Sequence, residues 1–71
     1  MTLAQRACKD IGAEFPAPVM TVLDQMVDTW PADACTRQWS ALLAYYGKWS
    51  AIPAEVKAVQ RRGRELAGKY N

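Results

Sequence analysis

Asp24 and Asp28 are the two residues whose type and spacing come closest to an acid/base pair. They are four residues apart, so on a helix they lie on one face. That face is the polar one, where water is expected to keep both carboxylates ionised. Acid/base catalysis by two carboxylates needs environments that separate the two pKa values. The pair therefore does not predict catalysis.

Other groups that catalysis commonly uses are scarce. The sequence has no histidine, which removes the commonest general base and the commonest zinc ligand. Cys8 and Cys35 cannot form a four-thiolate metal site within one chain. Their spacing does not decide whether they pair, and the simplest interpretation is two reduced thiols. Ser40 and Ser50 have no base to activate them. We expect no enzymatic activity, no cofactor and no metal.

The composition is that of one small folded domain. Of the 71 residues 51% are hydrophobic, including three Trp and three Tyr, and a disordered segment would be poorer in such groups. No run approaches the ~20 apolar residues of a membrane span. Charges at Arg6, Lys9 and Asp10 interrupt any apolar stretch that a secretory signal would need. We therefore expect a cytoplasmic protein without a membrane partner.

Prolines divide the sequence into segments that each have the apolar periodicity of a helix, and none shows the alternation of a strand. We predict an all-α fold, a compact bundle of three to four short antiparallel helices in a single domain. The helices are predicted over about residues 3–12, 18–30, 33–47 and 53–69. Thr2 suits an N-cap, Gly12 and Gly47 suit helix ends, and Pro53 suits the first position of the last helix.

Each predicted helix has an apolar stripe that is expected to face the core. The stripes comprise Leu3, Ala7, Cys8 and Ile11 in the first helix, Val19, Val22, Leu23, Met26, Val27 and Trp30 in the second, Cys35, Trp39, Leu42, Leu43 and Tyr46 in the third, and Val56, Val59, Gly63, Leu66 and Tyr70 in the fourth. Because Gly63 lies on a buried stripe, we expect another helix to approach it closely.

Charge is segregated along the chain. Residues 10–33 contain five acidic residues and no basic one, whereas residues 34–71 contain seven basic residues against Glu55 and Glu65. Three outcomes stay open: the two halves neutralise each other within one molecule, they pair between copies, or one half meets a partner of opposite charge.

The last predicted helix carries a basic strip, which we define as Lys57, Arg61 and Arg64 on one flank of the apolar stripe. Arg62 and Lys69 lie on the other flank. Such side chains commonly lay their aliphatic stems over a core edge and keep their charges in water. The strip is therefore either a solvated flank or an interface. Gly68 continues it, either as a frayed helix end or as room for a partner's backbone.

Tyr45 lies off the apolar stripe of its helix, which favours the surface, and Trp49 lies just past Gly47, where it is either a lid over the core edge or an exposed anchor. Tyrosine, tryptophan and arginine are the types that dominate protein interfaces. The segment YYGKW, residues 45–49, is therefore a candidate protein contact. The alternative is that these aromatic rings pack over the edge of a small core.

We expect a non-catalytic protein that binds a larger macromolecular partner, most simply a protein, as an adaptor or stoichiometric inhibitor. The format is that of many phage and mobile-element accessory proteins, including ones that block a host enzyme or a nucleoprotein defence complex. The residues expected to bind this partner are Lys57, Arg61, Arg64, Tyr45, Trp49, Asp24 and Asp28.

The alternative is a small DNA- or RNA-binding protein that uses the basic C-terminal helix as a dimer. Its nucleic-acid contacts would be Lys57, Arg61, Arg62, Arg64 and Lys69. A helix-turn-helix is disfavoured, because its usual glycine spacing, counted from Gly47, places Pro53 at an apolar position of the second helix. A homodimer is also a prediction in its own right, because a small core and opposed charges both favour self-association.

Overall fold

The computed structural model describes residues 1–29 and 31–68, so the predictions for Trp30, Lys69 and Tyr70 lie outside the described residues. Within these ranges the elements are all helical and no strand occurs. They are α1 (Leu3–Ile11), α2 (Ala17–Asp28), α3 (Thr36–Tyr46) and α4 (Glu55–Ala67), with short 3-10 helices at Ala32–Ala34 and Trp49–Ala51. The predicted all-α bundle is confirmed.

Local sequence sets the ends of the helices. Thr2 caps α1 through a capping box: its Oγ1 accepts from the backbone N–H of Gln5 at 3.1 Å, and Gln5 Oε1 accepts from the backbone N–H of Thr2 at 2.8 Å. Gly12 and Gly47 end α1 and α3, as predicted. Gly68 also ends its helix, with φ at 75°. Because other residues rarely adopt this conformation, helix termination accounts for that glycine.

Two predicted helix starts differ from the observed ones. α3 begins at Thr36, because Ala32–Ala34 forms a separate 3-10 helix before it. α4 begins at Glu55, although Ala54 already has helical backbone angles. The carbonyl of Pro53 accepts from the N–H of Val56 at 3.2 Å, in a 3-10-like spacing. Both helices thus begin with a tight turn, which periodicity alone does not reveal.

The core is formed mainly by α2 and α4 together with one side of α1 and α3. Leu23, Met26, Leu42, Val56 and Val59 are completely buried in it. α1 packs most extensively against α4, and α2 contacts the other three helices. The predicted stripes are therefore largely correct in the described helices.

One predicted core residue is wrong. Ile11 is 39% exposed, because α1 ends there and turns away at Gly12. Its place beside the core is taken by residues of the α1–α2 connection, since Ala13 and Phe15 pack against the core cluster.

The expected close approach at Gly63 is confirmed. A Cβ atom at this position would lie 2.5 Å from Cγ2 of Val27 and 3.1 Å from its Cγ1. The contact joins α4 to α2 and uses a side chain rather than the backbone of the facing helix. Glycine is therefore required here by packing, even though a mid-helix glycine costs ~1 kcal/mol relative to alanine.

None of the helices in the described ranges combines the length and the apolar character needed to cross a bilayer.

Candidate partner-binding surface

Arg64 does not lie on an exposed strip, which corrects the prediction. Its side chain is only 5% exposed. Nη2 donates to the carbonyl oxygen of Met26 at 2.7 Å and to that of Thr29 at 2.5 Å. Both acceptors belong to the C-terminal end of α2, where a cation is favoured by the helix dipole. A residue in this position cannot contact a partner, so the exposed part of the basic strip is Lys57 and Arg61.

The same guanidinium links α4 to the start of α3. Nη2 of Arg64 lies 3.3 Å from Sγ of Cys35, and Nε2 of Gln60 lies 3.5 Å from the same sulfur. The thiol of Cys35 in turn faces the carbonyl of Met26 at 3.6 Å. Because Cys35 immediately precedes α3, these contacts tie the start of α3 to α4. They therefore position the surface between those two helices.

The two cysteines are free and lie in separate environments. Sγ of Cys8 lies 3.7 Å from the sulfur atom of Met20. Burial raises the pKa of the Cys8 thiol, and the carboxylate of Asp24 raises it further. The expectation of two reduced, buried thiols agrees with this arrangement.

An apolar groove lies between α3 and the start of α4, and we call it the tryptophan groove. It is lined by Thr36, Trp39, Trp49, Ile52, Pro53, Ala54 and Lys57. Trp49 is 60% exposed, while Trp39 is half-buried against the core. The two rings are tilted by 47° with their centroids 6.4 Å apart. Trp39, predicted as core, thus also forms the floor of a surface site.

The charge around the tryptophan groove is positive. Lys57 is the charged residue among its described lining residues, and no carboxylate lines it. Arg61 follows one helical turn later on α4 and is exposed. Exposed Arg37 and Lys48 adjoin lining residues in the sequence. The basic strip and Trp49, which were predicted separately, therefore meet at one place.

A second groove runs beside the connection between α1 and α2, and we call it the connector groove. It is lined by Gly12, Ala13, Glu14, Phe15, Pro16, Tyr46, Pro53 and Glu55. Tyr45 is 51% exposed, and its ring meets that of Tyr46 edge-on at 5.1 Å between centroids. Burial raises the pKa of Tyr46, and the neighbouring Tyr45 raises it further. The segment YYGKW is thus divided between two grooves.

The two grooves are neighbours of opposite charge. Pro53 lines both of them. Glu55 faces the connector groove and Lys57 faces the tryptophan groove, because two residues along a helix turn the side-chain direction by about 200°. Glu14 adds a second carboxylate on the acidic side.

Asp24 and Asp28 lie elsewhere, beside the start of α1. They line a groove together with Met1, Thr2, Leu3, Ala4 and Val27. Asp28 is exposed, but Asp24 is half-buried and its Oδ1 atom is covered. The expectation that water surrounds both carboxylates is therefore wrong for Asp24, because α1 packs over this part of α2. These residues share no groove with Trp49 or Lys57.

Arg62 forms an ion pair with Asp10. Its Nε atom lies 3.0 Å from Oδ2 of Asp10, and the two side chains are 41% and 40% exposed. The pair joins α4 to α1, so part of the basic half is neutralised within the molecule by the acidic half. A pair this exposed contributes at most about 1 kcal/mol.

Sequence reasoning found Trp49 and Lys57 but missed their surroundings. The helical pattern assigns Pro53 only to a helix start and gives Ile52 no surface role, although both line the groove beside Trp49. No local pattern indicates that Glu14 and Phe15 meet Tyr46.

Clusters of three or more metal-binding side chains do not occur in the described part of the chain. No family model matches the sequence, and neither a curated protein nor a solved structure is significantly similar to it. The function that this surface supports has to be argued from its geometry.

Proposed function

We propose that the chain is a non-catalytic binding protein, an adaptor or stoichiometric inhibitor, whose tryptophan groove receives a segment of a larger protein partner. The observation that carries the proposal is Trp49, 60% exposed, which stands over Trp39 at the mouth of an apolar groove. Burying an exposed tryptophan in a complex gives a large favourable free energy of binding, because the side chain is large and loses little conformational freedom.

The supporting cations suggest the chemistry of the partner segment. Lys57 lines the groove and Arg61 lies one turn beyond it. A segment with one large apolar side chain and acidic residues beside it would fill the groove and meet both cations. The charges would mainly accelerate and orient association, whereas the buried aromatic contact would supply most of the affinity.

Nucleic-acid binding through α4 is the weaker candidate. Of the five residues expected to contact phosphates, Arg64 is buried and Arg62 pairs with Asp10. Lys57 and Arg61 are the remaining exposed cations in the described part of that helix. The two phosphate contacts that the described part of α4 offers would give weak binding that salt removes readily.

The test begins with a photo-crosslinking residue at position 54 of the purified protein, added to an extract of its source cells; Ala54 is exposed and lines the tryptophan groove, so Trp49 is kept. The matched control carries the same residue at position 9, where exposed Lys9 lines none of the three grooves. The protein captured at position 54 alone is then purified, and its affinity is measured by calorimetry.

We expect Trp49→Ala to weaken binding of the captured protein by about 2 kcal/mol or more, close to thirtyfold. Lys57→Ala should weaken it less, and Lys9→Ala should leave it unchanged. Equal affinity of wild type and Trp49→Ala would refute the proposal. Fluorescence anisotropy with labelled oligonucleotides tests the other candidate, since tight binding that falls steeply with salt would favour nucleic acid.

A further inference from the structure

We propose that a second copy of this chain docks across Pro53, so that the tryptophan groove of each copy faces the connector groove of the other. The inference does not depend on a separate protein partner. It rests on two grooves of opposite charge that share Pro53 as a lining residue.

The two grooves carry opposite charges. Lys57 gives the tryptophan groove a positive charge, and Glu14 and Glu55 give the connector groove a negative one. Lys57 and Glu55 are both exposed on the first turns of α4. Because Pro53 lines both grooves, the positive and negative areas are adjacent.

A two-fold axis between two copies decides which residues meet in the interface. In a two-fold interface, residue i of one copy meets residue j of the other, and j meets i. A patch with one sign of charge repels itself in such an interface. A patch with opposite charges on the two sides of the axis attracts itself twice, since Lys57 meets Glu55 at both ends.

The second copy would also cover exposed aromatic side chains. Trp49, which lines the tryptophan groove, and Tyr45, whose ring contacts that of Tyr46 in the connector groove, are 60% and 51% exposed. A domain of this length leaves much apolar surface in water, and self-association is a common way to cover it. Each copy would place its aromatic residues over the groove of the other. A protein partner would then compete with the second copy for the tryptophan groove.

The test exchanges charges. Sedimentation equilibrium of the wild type at low ionic strength should show a dimer that weakens as salt is added, because the charged contacts are screened. Lys57→Glu and Glu55→Lys should each weaken the dimer at least about tenfold, because each places like charges together at both ends. Far-UV circular dichroism checks that both variants stay helical.

Two further samples test whether the contact between Lys57 and Glu55 holds the dimer together. An equimolar mixture of Lys57→Glu and Glu55→Lys should restore a dimer, because both contacts are again attractive. The double variant should dimerise by itself for the same reason. Lys9→Glu, a charge reversal outside both grooves, should dimerise like the wild type.

A wild type that stays monomeric at about 1 mM, the weak limit of specific association, would overturn the inference. So would a dimer that neither reversal weakens, or a mixture that does not recover. The crosslinking test at position 54 has its own outcome, because a captured protein whose affinity falls with Trp49→Ala supports the partner even if the chain is monomeric.

Discussion

Nη2 of Arg64 on α4 donates to the main-chain carbonyl of Met26 on α2 at 2.7 Å. The contact gives a carbonyl at the C-terminal end of α2 a hydrogen-bond donor from α4. The two residues are 38 positions apart in the sequence. Since the same group reaches Thr29 and Cys35, one arginine joins the end of α2, the start of α3 and the last turn of α4. Arg64 is thus a structural residue, although it lies in the most basic part of the sequence.

Replacing Arg64 with alanine should destabilise the fold. The carbonyl of Met26 would stay buried without the guanidinium, so we expect the free energy of unfolding to fall by about 2–3 kcal/mol. Arg61→Ala is the matched control, because Arg61 is exposed on the same helix, and it should change stability by less than about 0.5 kcal/mol. Urea unfolding followed by circular dichroism measures both. Similar stabilities for the two variants would contradict the structural role of Arg64.

Gly63→Ala sets two effects against each other. Alanine favours the helix by ~1 kcal/mol, but its Cβ would lie 2.5 Å from Cγ2 of Val27. Valine is stiff at χ1, so the helices would have to separate, which typically costs about 1–3 kcal/mol. We expect a net loss of stability in thermal unfolding. Adding Val27→Ala should make the substitution at position 63 harmless or favourable, whereas additive losses would argue against the contact.

The Cys8 thiol should make stability depend on pH at the alkaline end. Its pKa is raised from the ordinary value of 9.0 by burial and then by Asp24. The unfolded chain therefore loses this proton at lower pH than the folded chain. The contribution of Cys8 is fully present below pH 9 and is lost as pH rises through the folded pKa.

Unfolding free energies of wild type and Cys8→Ala, compared between pH 7 and pH 10, test this prediction. Other groups titrate alike in both proteins, so the difference isolates Cys8. The wild type should lose stability faster as pH rises above about 9. Parallel pH profiles would mean that the thiol titrates in the folded protein as it does in the unfolded one.

Trp49 should matter little for folding. Its contact with Trp39 is worth about 0.5–1.5 kcal/mol at most, because the ring is largely in water. In chemical denaturation we expect Trp49→Ala to lower the free energy of unfolding by no more than that amount. Leu42→Ala, at a completely buried position, should lower it by about 2–5 kcal/mol. A loss of folding in Trp49→Ala would instead make this residue part of the core.

Local signals explain why the fold could be predicted from the sequence. Thr2 binds the N–H of the residue three positions later, and Gly12 and Gly47 end helices through their own backbone angles. Gly63 could be interpreted because its place on the apolar stripe is itself local. In each case the residues that decide the structure are neighbours in the chain.

The surface could be predicted only in part. A helical wheel places Arg64 beside Lys57 and Arg61, at the border of the apolar stripe, and small differences in direction decide whether such a residue is buried. The carbonyls that receive it come from the end of α2, which the wheel does not show. The two grooves likewise depend on how distant segments meet, as Pro53 does with Phe15 and Tyr46.

The pairing of α1 with α4 has a consequence for synthesis on the ribosome. α1 is made before α4, the helix against which it packs most extensively. At ordinary rates of translation the delay is on the order of seconds. The buried residues of α1 are Ala4, Ala7 and Cys8, all of them small. Until α4 is made, Leu3 and Ile11 are therefore the large apolar residues that α1 offers to chaperones or to other nascent chains.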